Sequence, residues 1–193
     1  MALKVKNLAT PISDFRILLR YSGLLPMFQW ILYSESNPSP NTSLQFLTRL
    51  QNIANVCYYP LEHIYWLGAH EVITLSKETL NKIGIWSCRF WAAYVVLYFI
   101  QLWEEKRLWD HKVKNLKKAK ASNSISLKDF NDQKIALKEE KKTLLINTII
   151  NSAYFPLTIH WSLENSKFPD VGVGFCGTIA ALAQIYTAWK ATK

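Results

Sequence analysis

The sequence predicts an all-α protein, a membrane-embedded helical bundle with two transmembrane helices plus amphipathic interfacial helices. Two long apolar runs predict the membrane part: residues 86–103, opened by Trp86 and closed by Trp103, and residues 171–189, closed by Trp189. Eighteen helical residues span about 27 Å, enough to cross a hydrocarbon core. Apolar residues elsewhere recur at helical spacing, which predicts amphipathic helices around these two. An internal echo orders the whole. Asn55-Val56-Cys57-Tyr58-Tyr59-Pro60-Leu61 returns as Asn151-Ser152-Ala153-Tyr154-Phe155-Pro156-Leu157, an offset of 96 positions (151 minus 55), and each copy precedes one apolar run. The chain reads as two related units, each a proline-broken amphipathic helix followed by a hydrophobic one.

Composition narrows the partners. With 23 Lys+Arg against 14 Asp+Glu, the 193-residue chain carries a formal charge of +9, which fits nucleic acid or an anionic membrane surface. Eight Trp and nine Tyr favour the membrane, because amphipathic rings collect where hydrocarbon meets water. The apolar runs are too long and aromatic for a basic groove, so no nucleic-acid partner is expected. Cys57, Cys88 and Cys176 are odd in number and far apart, matching neither a disulfide framework nor metal spacing. Inert thiols in a reducing compartment are expected. The opening residues lack a secretory h-region and cleavage site, and the final Ala-Thr-Lys is not a Ser-Lys-Leu address.

In chain order, residues 12–33 carry Ile12, Phe15, Leu18, Leu19, Leu25, Phe28 and Leu32 near helical spacing, with Trp30 among them. Arg16 and Arg20 lie one turn apart on a common face, and Pro26 is expected to bend or interrupt the helix. A basic amphipathic segment with aromatic anchors can lie in the headgroup plane; a surface helix packed on its neighbours competes with that reading. Pro38 and Pro40 mark a loop. Thr42 and Gln45 have capping-box spacing for the next helix, which Pro60 should kink. Ser76 caps the helix that becomes the first crossing. Its only full charge, Arg89, sits within one turn of the end, where it can snorkel to the headgroups.

Residues 104–142 then hold 12 Lys+Arg against 7 Asp+Glu, with a break expected at 122–126 and capping-box spacing at Ser126 and Asp129. Two solvated charged helices or an extended hairpin are expected. Residues 144–161 hold the second motif copy, with Asn147 and Asn151 on one face; the sequence leaves open whether this segment lies at the interface or dips into the membrane. Phe168-Pro169-Asp170 ends it. In the last apolar run Gly174, Gly177 and Ala181 line one face. The Gly177/Ala181 pair has the small-x-x-x-small spacing that lets helices approach closely in lipid. The expected divisions are 1–85 amphipathic, 86–103 first crossing, 104–170 charged loop and amphipathic helix, 171–189 second crossing, and 190–193 tail.

Glu62-His63 and His70-Glu71 invite an acid/base or metal reading, but neither pair has a histidine at helical ligand spacing. No catalytic residue, metal or cofactor is expected.

The chain resembles the peroxisomal membrane protein 11 (peroxin-11) family, most closely its gamma branch, over roughly residues 13–190. The resemblance rests on Asn52-Ile53-Ala54-Asn55 with Tyr58-Tyr59-Pro60, Glu62, His63 and Trp66; on Asn147, Asn151, His160 and Trp161; and on Phe168-Pro169-Asp170-Val171-Gly172 with Gly174, Gly177 and Tyr186. It implies a peroxisomal membrane protein that crosses twice, keeps both ends cytosolic, and protrudes and elongates the membrane before fission. It also implies self-association, association with related family members, and peroxisomal fission factors as partners. An N-terminal amphipathic helix would wedge into one leaflet: here Phe15, Leu18, Leu19, Phe28 and Trp30 would insert while Arg16 and Arg20 meet lipid phosphate. Relative to the family, the chain starts short and an upstream helix is expected to be missing. The family topology puts residues 104–142 in the matrix, whereas the positive-inside rule would make them cytosolic. Two other functions fit the residues: a metabolite pore, from two one-crossing repeats and polar Asn55, Asn151 and Gln184, and a scaffold recruiting fission factors.

Overall fold

The computed structural model describes residues 2–192, with only the backbone of residues 2, 3, 5 and 6; Met1 and Lys193, the outer ends of the predicted 1–85 and 190–193 segments, lie outside the described residues. The protein is all-α, 87% helical. Its helices are α1 (Ala2–Leu19), a 3-10 turn (Arg20–Gly23), α2 (Leu24–Ser36), α3 (Thr42–Ala69), α4 (Lys77–Ala121), α5 (Leu127–Ser162) and α6 (Asp170–Ala191). Two compact units divide the chain: Met1–Tyr94 with Trp161–Ser166, and Val95–His160 with Lys167–Lys193.

Local chemistry explains the boundaries, with some departures from expectation. Helix α1 starts well before Ile12 and runs through Pro11. The break in residues 12–33 falls at the 3-10 turn, not at Pro26. Pro26 lies in the first turn of α2, where its missing N–H has no intrahelical partner to lose. The cap of α3 is Asn41, whose side chain accepts from Leu44 N at 3.0 Å. Thr42 is therefore already helical, and Gln45 turns back to hold Ser39 N (2.9 Å) and Ser34 O (3.3 Å). Ser76 and Ser126 cap as expected, each accepting the backbone N–H three residues on at 3.1 Å. Both motif prolines, Pro60 and Pro156, sit inside unbroken helices.

Glu71 and Asn123 take left-handed backbone angles, φ 57° and 51°, just past the ends of α3 and α4. They close the ends as C′ residues: Val72 N returns to Leu67 O at 2.9 Å and Ser124 N to Ala119 O at 3.0 Å. The charged stretch 104–142 takes the hairpin form of the two expected, its arms tied by Lys112 to Glu140 at 2.7 Å, and is no separate pair of helices. Its first half continues α4 and its second half begins α5, because nothing in residues 101–107 breaks the helix.

Burial runs opposite to that of a protein in water. Among the described residues ten apolar and ten polar side chains are buried, while Phe15, Phe28, Trp30, Trp103, Phe175 and Trp189 are exposed. Among the described residues two helices, α4 and α6, are long and apolar enough to cross a membrane, with mean hydropathy 1.5 in each best window. Only 17% and 6% of those windows are buried. Core helices of a water-soluble protein would be mostly covered, so hydrocarbon is the solvent these faces fit.

Candidate functional site

The first motif copy builds a polar latch inside the first unit. On α3, positions 58, 59, 62, 63 and 66 recur at i, i+4 and i+8 spacings, which gathers Tyr58, Tyr59, Glu62, His63 and Trp66 onto one side. Across from them lie Asp14 of α1 and Arg20 and Tyr21 of the 3-10 turn. Arg20 reaches Glu62 Oε1 at 2.8 Å, the two side chains 39% and 10% exposed. Tyr58 Oη donates to the same carboxylate oxygen at 2.6 Å. Tyr21 stacks on the His63 ring (centroids 3.8 Å) and donates its hydroxyl to His63 O at 2.9 Å. Trp66 Nε1 donates to Asp14 Oδ1 at 2.9 Å, and His70 meets the same carboxylate at 3.2 Å while stacking on Trp66.

Burial sets the electrostatics. Desolvation raises the Glu62 carboxyl above its ordinary pKa, and Arg20 and the Tyr58 hydrogen bond pull against it. Burial likewise pushes the Tyr58 hydroxyl far up and the His63 imidazole down. Arg20 Nε, Glu62 Oε2 and His63 Nε2 are buried without a hydrogen-bond partner. The cluster therefore holds an ion pair plus spare polar capacity, and it joins the N-terminal segment to α3. A second tie lies nearby: Asn52 Nδ2 donates to Ser34 Oγ of α2 at 3.1 Å.

The predicted membrane-binding residues separate into two groups. Phe15, Arg16, Leu18, Leu19, Phe28 and Trp30 are exposed. Arg20, expected to meet lipid phosphate, is instead held by Glu62, because a buried carboxylate needs a counter-charge. Of the tempting Glu62/His63 and His70/Glu71 pairs, the first lies in the latch, while His70 meets Asp14 and Glu71 closes the end of α3.

Motif residue Asn55 is half-buried and Pro60 exposed. In the second copy Asn151 is buried and donates to Asn147 O at 2.8 Å. Tyr154 Oη donates to Gln184 Oε1 of α6 at 3.1 Å. His160 lies 5.8 Å from Phe168 between centroids, and Trp161 stacks on Trp91 at 5.7 Å. Gly174 and Ala181 are exposed, and a Cβ on Gly174 or Gly177 would meet nothing within 4 Å. Sequence reasoning missed Asp14 and Tyr21. Their spacing of seven puts them on one face of the N-terminal helix, a signal that names a face but no partner. Among the described residues no group of three His, Cys, Asp or Glu is placed to hold a metal.

Comparison with known proteins gives the family. An uncharacterised protein of Schizosaccharomyces pombe is 27% identical over 179 residues, covering 92% of this chain and 73% of the relative. The human protein named peroxisomal membrane protein 11C is 24% identical over 189 residues, covering 95% of this chain and 75% of the relative. No solved structure matches significantly. The sequence model of peroxisomal biogenesis factor 11 matches residues 1–189, nearly the whole chain. This all-α chain with its two apolar helices and its polar latch belongs to the peroxisomal biogenesis factor 11 (PEX11) family, whose members are peroxisome biogenesis factors and not known enzymes.

Proposed function

We propose that the chain shapes the peroxisomal membrane, promoting its protrusion and elongation toward fission and so peroxisome proliferation. It does this by seating an apolar helix face in one leaflet and by self-association. The observation that carries this reading is the two-sidedness of α1. Asp14 faces α3 and is tied to it, as is Tyr21 in the turn that follows, whereas Leu8, Ile12, Phe15 and Leu19, at i, i+4, i+7 and i+11, form an exposed stripe. Arg16 is exposed near that stripe, which supports a role for it in meeting lipid phosphate. Leu25, Phe28, Trp30 and Leu32 extend the exposed apolar surface onto α2. Side chains seated in one leaflet expand it relative to the other, and the sheet bends. The latch gives that wedge a rigid base, so residues 1–85 act as a cytosolic amphipathic region. The open small-residue face of α6 at Gly174, Gly177 and Ala181 supports close approach by a second copy or a related family member. Fission factors would act on the elongated membrane.

Reconstituting the full chain into phosphatidylserine-containing vesicles tests the reading by electron microscopy. The native chain should draw tubules, and the double change Phe15→Glu, Leu19→Glu should abolish them while the protein stays membrane-bound. Smooth vesicles with the native chain, or tubules undiminished by the double change, would remove the proposal.

A further inference from the structure

We infer that the end of α6, where Lys190 meets Glu139 and Lys142 of α5, binds the phosphate of an anionic phospholipid, with an acyl chain of the same lipid lying on the exposed face of α6 beside it.

Positive charge concentrates here. Lys142 Nζ donates to Glu139 Oε1 at 2.7 Å, and Lys190 Nζ reaches across from α6 to donate to Glu139 Oε2, so two ammonium groups share one carboxylate. Their hydrogen bonds hold the Glu139 carboxyl down at about 2, which keeps it ionised and leaves the trio with one positive charge in excess. Lys138 and Lys141 flank the trio in sequence, and the neighbouring Glu140 is taken by Lys112 at 2.7 Å. Each ammonium has three donors and gives one to Glu139. The three side chains reach solvent, where ion pairs of this kind are worth little. Both cations can therefore turn their remaining donors to a phosphate, which accepts charge-assisted hydrogen bonds.

The surroundings suit a headgroup. A cleft of about 50 Å³ between α5 and α6 has Lys142, Lys190, Asn147 and Tyr186 in its wall. The Asn147 amide and the Tyr186 hydroxyl add neutral donors to the two charged ones.

Position makes the anion a lipid. The cleft lies at the end of the second apolar run, and Leu182, Ile185, Tyr186 and Trp189 form an exposed stripe along α6 at i, i+3, i+4 and i+7. From Leu182 to Lys190 the helix rises about 12 Å, close to the ~15 Å depth of one leaflet's hydrocarbon. Cations at one end and a leaflet's depth of apolar surface leading away from them repeat the plan of an anionic phospholipid. A zwitterionic headgroup fits less well, because its own ammonium would meet this excess of lysine. The site requires α6 to be embedded and to end at a membrane surface; it does not depend on the α1 wedge.

Lipid retention by the full chain tests it. The protein is purified in detergent, exchanged into micelles holding equal amounts of phosphatidylserine and phosphatidylcholine, and its bound lipid is counted by native mass spectrometry. The native chain should hold phosphatidylserine in preference, and the double change Lys142→Gln, Lys190→Gln should lower that retention about tenfold. Lys142→Arg, Lys190→Arg should keep it, since guanidinium groups also bind phosphate. Lys117→Gln, Lys118→Gln, which removes the same charge from the hairpin, should keep it too. If the double glutamine change lowers the helical circular dichroism, Lys190→Gln alone serves, and it should lower retention by itself. Equal losses from the two double glutamine changes would mean diffuse attraction and overturn the site. Equal retention of phosphatidylcholine, or displacement of the lipid by millimolar inorganic phosphate, would overturn the assignment to an anionic lipid. Phe15→Glu, Leu19→Glu should retain the lipid like the native chain, so failed tubulation and failed retention are separate outcomes.

Discussion

The two copies of the Tyr-aromatic-Pro motif share a local pattern and differ in what they bury. At the position one turn past the motif tyrosine, the first copy has Glu62 and the second, 96 residues on, has Thr158 (62 plus 96). Glu62 cannot satisfy itself. It needs Tyr58 from its own helix and Arg20 from the N-terminal turn. Thr158, 0% exposed, donates to Phe155 O one turn back. A buried charge recruits a distant segment, whereas a buried hydroxyl closes on its own helix. This difference explains why the first copy holds the N-terminal helices while the second can lie in an apolar setting.

Exchanging the two residues should break the contrast, most severely at Thr158→Glu. A carboxylate placed there would be fully buried, and burying it costs several kcal/mol; thermal unfolding in detergent should show loss of the cooperative transition. A transition unchanged from the native chain would mean the site is wetter than its burial indicates. Arg20→Leu should come next. Removing one member of a buried pair costs about 3–5 kcal/mol, and the 39% exposure of Arg20 reduces this to roughly 2–3 kcal/mol. Adding Glu62→Thr to Arg20→Leu should recover most of that loss, and a double-mutant cycle measures the coupling. Additive single effects would mean that the pair does not hold the segment.

The smallest effect concerns pH and sharpens the comparison. Burial lowers the folded pKa of His63 below its ordinary value of 6.5. A depressed histidine contributes stability fully above its unfolded pKa and loses it as pH falls through the folded value. Glu62 is raised, so its own contribution runs the other way, present at low pH and fading as pH rises through its folded pKa. Unfolding midpoints between pH 7 and pH 5 should therefore fall less steeply in His63→Gln than in the native chain. An identical slope would show that His63 does not titrate between the two states.

Much of the architecture was legible because it depends on local chemistry. The apolar runs, the serine caps at Ser76 and Ser126, and the break at 122–126 are all written in neighbouring residues. The break between α1 and α2 was misplaced because a proline signals a boundary only through its position in the turn, and Pro26 occupies the turn that tolerates it. Asp14 and Tyr21 were missed because a polar face on an amphipathic helix is compatible with water, headgroups or another helix.

The sequence by itself determined that this is a helical membrane protein with a repeated motif and exposed aromatic surface, since hydrophobic length and periodicity act within each helix. Only the tertiary structure decided that Arg20 belongs to Glu62 and that α5 runs along α6. Both depend on pairings across 42 to 51 residues of chain, which no local pattern encodes.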